Sequence, residues 1–134
     1  MRAPRPRGAA VEEAVLAATL EELAAVGYQA LRFERVAARA GVARTTVYRR
    51  WPSRGALVRA AIEALPGAAA APPARGSLRD DLIELGLRTG RFAATPHGLA
   101  VLRLFVADGD DAELRGVLDA IRRERDDTFR ALLE

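Results

Sequence analysis

The run Ala40-Gly41-Val42-Ala43-Arg44-Thr45-Thr46-Val47-Tyr48-Arg49-Arg50-Trp51 constrains this chain more than any other feature, because it joins a glycine turn to a short helix crowded with cations, hydroxyls and aromatic rings. Gly41 can take the positive φ that a sharp turn after a helix requires, and Val42 can tuck into the angle between two helices. A helix held in this way is suited to enter a major groove with its N-terminal residues facing base edges. The pattern predicts a helix-turn-helix.

The flanking sequence supplies further helices. Over Ala9 to Val26, Leu16, Leu20, Leu23 and Gly27 fall at i, i+4, i+7 and i+11, with Glu21 and Glu22 away from that stripe, and Gly27 is expected to end the helix. A second helix is expected from Phe33 to Ala40, with Phe33, Val36, Ala37 and Ala40 on one face, and a third from Arg44 to Trp51. A fourth, Arg54 to Leu65, is capped by Ser53 and stopped by Pro66-Gly67. These four place a DNA-binding domain over 9–66. Ahead of it, 1–8 carries Arg2, Arg5 and Arg7 around two prolines and is expected to be a flexible arm, either touching phosphate or minor groove or serving as a plain leader. The small, proline-bearing, nearly uncharged segment 67–76 reads as a linker.

Beyond it, 77–134 is again helical in pattern. Ser77-Leu78-Arg79-Asp80 opens a helix like a capping box, with Leu78, Leu82, Leu85 and Phe92 on one face and Pro96 as its end. A sixth helix, Gly98 to Ala107, is expected to turn Leu99, Leu102 and Val106 to one side. A seventh begins near Asp110 or Asp111 and carries Leu114, Val117, Leu118, Ile121, Thr128, Phe129 and Leu132. No segment alternates as a strand would, so the fold class is all-α.

Charge divides unevenly between the halves. Met1 to Leu65 holds 11 Arg against 6 acids, a net of +5, while Pro66 to Glu134 holds 10 Arg against 12 acids, a net of −2; together they make the chain's +3. The basic half is the one with the helix-turn-helix pattern, as phosphate neutralisation requires. Every cation is Arg and none is Lys, in the acidic half as much as in the basic one, which points to coding bias more than to selection for bidentate contacts.

With no cysteine there is no disulfide or thiolate metal site. No apolar run approaches a membrane span, and Met1 to Ala10 lacks a signal-peptide core, so a cytoplasmic protein is expected. His97 is the single histidine and has no partner at ligand spacing; Asp110-Asp111 and Asp126-Asp127 read as solvated caps or faces. No cofactor or metal site is expected. A Gly-rich phosphate loop, a G-x-S-x-G elbow and a nucleophile with an obvious base are all absent, which argues against an enzyme.

From Val15 through Leu57 the chain resembles the tetracycline-repressor (TetR) family of bacterial transcriptional regulators. The resemblance is carried by Leu16, Ala18, Leu20, Leu23 and Ala24 before Gly27-Tyr28, then Val36-Ala37, Ala40-Gly41-Val42, Thr46-Val47-Tyr48 and Pro52-Ser53-Arg54 with Ala56-Leu57. It implies an N-terminal DNA-binding unit followed by a helical ligand-binding and dimerisation unit, acting as a homodimer on double-stranded DNA. A repressor released from a palindromic operator by a small-molecule effector is the expected function. A DNA-binding interaction protein without a sensor is the alternative, and a small helical enzyme a distant one. Two more helices follow in the family, whereas this chain stops at Leu132-Leu133-Glu134 inside an apolar pattern, so the second unit is expected to be partial and truncated.

The expected DNA-contacting residues are Arg44, Thr45, Thr46, Tyr48, Arg49 and Arg54. Arg44 suits guanine O6 and N7, a threonine methyl suits thymine C5, and the backbone N–H groups that open the helix suit a phosphate. Whether these residues reach bases or only phosphates is open. The resemblance implies a phosphate contact for Tyr48 and for Arg54, which replaces the family's usual lysine. Trp51, in place of a phenylalanine, is expected to pack the third helix to the fourth, and Arg50 to stand in solvent. Arg32 and Ala43 occupy positions where the family has Ser or Thr caps, and neither can cap. Phe92, Leu102, Phe105 and Val106 are the residues that would line an effector cavity.

Overall fold

The computed structural model describes residues 7–65, 73–74, 76–106 and 111–134. Among them the chain forms α1 (Arg7–Ala30), α2 (Phe33–Ala40), α3 (Arg44–Arg50), α4 (Arg54–Glu63), α5 (Leu78–Ala93), α6 (Pro96–Val106) and α7 (Ala112–Leu133). No strand occurs among the described residues. The chain separates into two compact units, Met1–Leu65 and Pro66–Glu134. Most of the arm expected over 1–8 and of the linker expected over 67–76 lies outside the described residues, as does the Pro66-Gly67 stop. Arg7 and Gly8 already belong to α1.

In the first unit α1 packs against both α2 and α4, and α2 packs against α3. The double contact explains why a single stripe understates the buried surface of α1. Leu16, Leu20 and Leu23 are buried as expected, and so are Val15, Ala18, Thr19 and Glu22 on a second face. Glu22, off the leucine stripe, is buried on this second face and only 1% exposed. Thr19 hides its hydroxyl by donating to the Val15 carbonyl at 2.7 Å, so its burial leaves no polar group unmatched.

Gly27 interrupts α1 without being its last residue. Its φ of 77° and ψ of 176° break the helix, after which a short helical stretch runs on to Ala30. This conformation suits glycine alone. It swings Tyr28 and Leu31 into the core, where they are 4% and 1% exposed. Val36 and Ala37 of α2, Val47 of α3, and Leu57, Val58, Ala61 and Ile62 of α4 complete that core. Ser53 caps α4 by accepting from the Ala56 N–H at 3.1 Å, and α4 ends at Glu63, slightly before the expected Leu65.

In the second unit α5 packs against α6 and α7. Ser77 accepts from the Asp80 N–H at 3.1 Å and its hydroxyl donates to Asp80 Oδ2 at 2.7 Å, a capping arrangement that opens α5. Leu78 and Leu82 are nonetheless exposed, and no side chain of α5 is fully buried. Pro96 opens α6 where the sequence suggested only an end to α5: Thr95 Oγ1 accepts from the Gly98 N–H at 3.0 Å, and a proline fits the first helical position because no donor is needed there. The face of α6 that packs is also different from the expected one. Gly98, Ala100, Val101 and Leu104 are buried, whereas Leu99 and Val106 are exposed. Gly98 lies so close to the Phe92 carbonyl that a Cβ would collide with it, so α5 and α6 can meet only at a glycine. Asp111 caps α7, accepting from the Leu114 N–H at 2.9 Å, and α7 buries Leu114, Val117 and Leu118 in its first half while Phe129 and Leu133 are exposed in its second. Among the described residues no helix is long and apolar enough to cross a membrane.

Candidate nucleic-acid interface

The turn between α2 and α3 is built by Gly41. Its φ of 71° is left-handed, and the turn closes with the Gly41 N–H on the Ala38 carbonyl at 3.3 Å and the Val42 N–H on the Ala37 carbonyl at 3.0 Å. This pair of bonds satisfies two carbonyls that α2 would otherwise leave open. Ala43 is extended and supplies no side-chain cap to α3; Arg32 likewise supplies none to α2.

Opposite sides of α3 have opposite character. Val47 is fully buried and Trp51 is 8% exposed, its N–H donating to the Val47 carbonyl at 2.9 Å. Away from them Arg44, Thr45, Tyr48 and Arg49 are exposed, and Thr46 is half-buried. The short helix is thus anchored by one aliphatic side chain and by the indole that follows it. Its other side is left for cations, a hydroxyl and a phenol.

These polar side chains are held by neighbours. Arg44 Nη1 donates to Glu34 Oε1 at 2.7 Å, and its guanidinium lies 5.3 Å from the centre of the Tyr48 ring. Tyr48 in turn stacks on Phe33, with ring centres 4.2 Å apart and planes 12° from parallel. Arg54 sits 5.3 Å from the Tyr28 ring centre and reaches the Gln29 carbonyl at 3.4 Å from Nη1. Arg50 is exposed as expected, yet it pairs with Glu12 of α1 at 2.8 Å.

Behind this surface, Glu22 ties α1 to α2. Its Oε2 accepts from Arg39 Nε at 2.8 Å, and its Oε1 lies 3.8 Å from Arg35 Nη1. A carboxylate so deeply buried needs such partners. Glu34 and Glu22 are the residues that sequence reasoning missed. An acid in the first turn of a helix without a side-chain cap is a faint signal for Glu34, since it complements the helix dipole, but its meeting with Arg44 depends on the angle between α2 and α3.

Elsewhere, the residues read as a possible effector lining lie on α5 and α6. Phe92, Leu102 and Phe105 are half-buried, and Val106 is 85% exposed. Arg122 and Arg125 lie 5.4 and 5.7 Å from the Phe105 ring centre.

Two helices joined at a left-handed glycine, the second anchored by Val47 and Trp51 and bearing its polar residues outward, define a helix-turn-helix unit. The model of the TetR family, described as bacterial regulatory proteins, matches residues 15–61, which span most of α1 through α4. A helix-turn-helix-type transcriptional regulator of Mycobacterium tuberculosis is 48% identical over 94 residues, covering 67% of this chain and 46% of the relative. The helix-turn-helix-type transcriptional regulator AqdR of Rhodococcus erythropolis is 35% identical over 118 residues, 88% of this chain and 55% of the relative. The DNA-binding transcriptional repressor TetR of Mycobacteroides abscessus is 33% identical over 119 residues, 87% and 60% respectively. The chain belongs to the TetR family of bacterial regulators. It spans about half the length of the curated relatives it matches.

Proposed function

We propose that this protein is a DNA-binding transcriptional regulator acting in the cytoplasm as a repressor on a palindromic operator. The observation that carries the reading is the two-sided build of α3, where Val47 and Trp51 are buried while Arg44, Thr45, Tyr48 and Arg49 are exposed. Arg44, Thr45 and Thr46 meet base edges or phosphates, Arg49 flanks them, and Tyr48 and Arg54 contact the backbone. The repressor sense is supported by the similarity to the Mycobacteroides abscessus relative, a DNA-binding transcriptional repressor.

A second copy of the chain provides the second half-site contact. Exposed Leu78, Leu82, Ile83 and Leu87 on α5 support pairing, because water-facing leucine and isoleucine on one helix favour an apolar partner. A small-molecule effector held near Phe92, Leu102, Phe105 and Val106 changes the separation of the two reading helices and lowers affinity. Selection of bound sequences from random duplex DNA tests the reading. Recovery of a two-fold symmetric site is expected, and recovery of no sequence above background overturns it. Loss of that binding on adding an effector separates a sensing repressor from a DNA-binding protein without a sensor.

A further inference from the structure

We infer that Glu34 is a positioning residue that sets the base specificity of Arg44. The inference rests on the preceding reading of Arg44 as a DNA contact and extends it to the residue that aims it.

Three contacts converge on the Arg44 guanidinium or on its support. Glu34 Oε1 takes an Nη1 hydrogen at 2.7 Å. The Tyr48 ring lies 5.3 Å from Cζ and offers its π-face to the cation. Tyr48 is fixed by stacking on Phe33, a residue only 7% exposed and therefore part of the core. An arginine has five N–H donors, so one bond to Glu34 leaves enough for the two-point contact that guanine O6 and N7 present. A free surface arginine must lose its side-chain freedom on binding; one already braced loses less.

The pair has little to do with stability. Its side chains are 58% and 54% exposed, and ion pairs that open to water contribute little to folding. Nor does it serve general attraction to DNA, because a carboxylate beside the reading helix repels phosphate. A residue that weakens every complex alike, yet steadies the one side chain suited to guanine, raises the ratio of specific to non-specific binding. Glu34 is ten residues from Arg44 and on a different helix, so the pairing exists only because the Gly41 turn folds α3 back beside α2.

The test uses the full chain, a selected duplex, the same duplex with each guanine changed in turn, and a scrambled duplex of equal length. Anisotropy titrations compare the parent with Glu34→Ala, Glu34→Gln, Arg44→Ala and the Glu34→Ala/Arg44→Ala double variant. Arg44→Ala is expected to erase the preference at one guanine per half-site. Glu34→Ala is expected to reduce that same preference about tenfold while tightening the scrambled complex. Glu34→Gln keeps an oxygen that accepts from Arg44, so it should retain more of the preference than alanine while tightening the scrambled complex similarly. In the double variant, Glu34→Ala should have no further effect on the preference. If Arg44→Ala erases the preference but both Glu34 variants keep it at the parental level, the positioning role is overturned and the DNA contact stands. If Arg44→Ala leaves every guanine preference intact, the base-reading role of Arg44 falls and the inference with it.

Discussion

Arg44 and Tyr48 are exposed residues whose polar atoms the fold does not need. Arg44 is braced only by an exposed carboxylate and an aromatic face, and Tyr48 packs through its ring while the residue remains 39% exposed. Arg44→Ala is expected to weaken binding to the selected site by about 1–3 kcal/mol, and Tyr48→Phe by less, with thermal midpoints little changed. Unaltered affinity in both variants, measured by titration beside a melting curve, would remove these residues from the interface. Glu22 presents the opposite case. It is buried against Arg39 and Arg35, so Glu22→Ala should destabilise the first unit by about 1–3 kcal/mol by removing a charged hydrogen bond, with the half-exposed Arg39 moderating the loss. A denaturant midpoint equal to that of the parent would contradict this. The exposed polar side of α3 was legible because cations, hydroxyls and aromatics crowd one short segment. Glu22 was not, since a residue type that favours water gives no sign that two helices will flank its own.

At the scale of elements, turn chemistry was legible and the choice of packed face was less so. Gly41, Ser53 and Ser77 mark helix boundaries through local backbone demands, and each does so in the structure with a defined conformation or hydrogen bond. The faces of α5 and α6 depend on neighbours distant in sequence. Leu99 and Val106 follow a helical period as well as Val101 and Leu104 do, and the buried set is the one that lies with Gly98, whose backbone closely approaches the Phe92 carbonyl of α5. Anchoring of α3 rests on very few residues, because a helix of this length is marginal alone and relies on tertiary packing. Trp51→Ala should therefore lower stability by about 3–5 kcal/mol, with loss of DNA binding following from a displaced α3. A variant that melts like the parent but has lost affinity would make the indole a contact residue instead.

For the whole molecule, long-range electrostatics adds what no single contact provides. The half that carries the helix-turn-helix has a net charge of +5 and the other −2, a distribution that on the proposed function draws nucleic acid toward the helix-turn-helix. Several of those cations already have internal partners: Arg50 with Glu12, Arg39 with Glu22, and Arg44 with Glu34. The effective count at the interface is therefore smaller than the number of arginines, and the slope of log affinity against log salt should be correspondingly modest. Arg54 provides the clearest measurement. It sits over Tyr28 beside the start of α4 and does not lie on α3, so its proposed contact is with phosphate and carries no base information. Arg54→Ala should weaken selected and scrambled duplexes by similar factors and reduce the salt slope by about 0.9 for each subunit bound. Titrations over a range of salt concentrations on both duplexes decide the point. A variant that changes base preference while keeping the parental slope would show that Arg54 reads sequence, and the division between reading by α3 and anchoring by α4 would have to be abandoned.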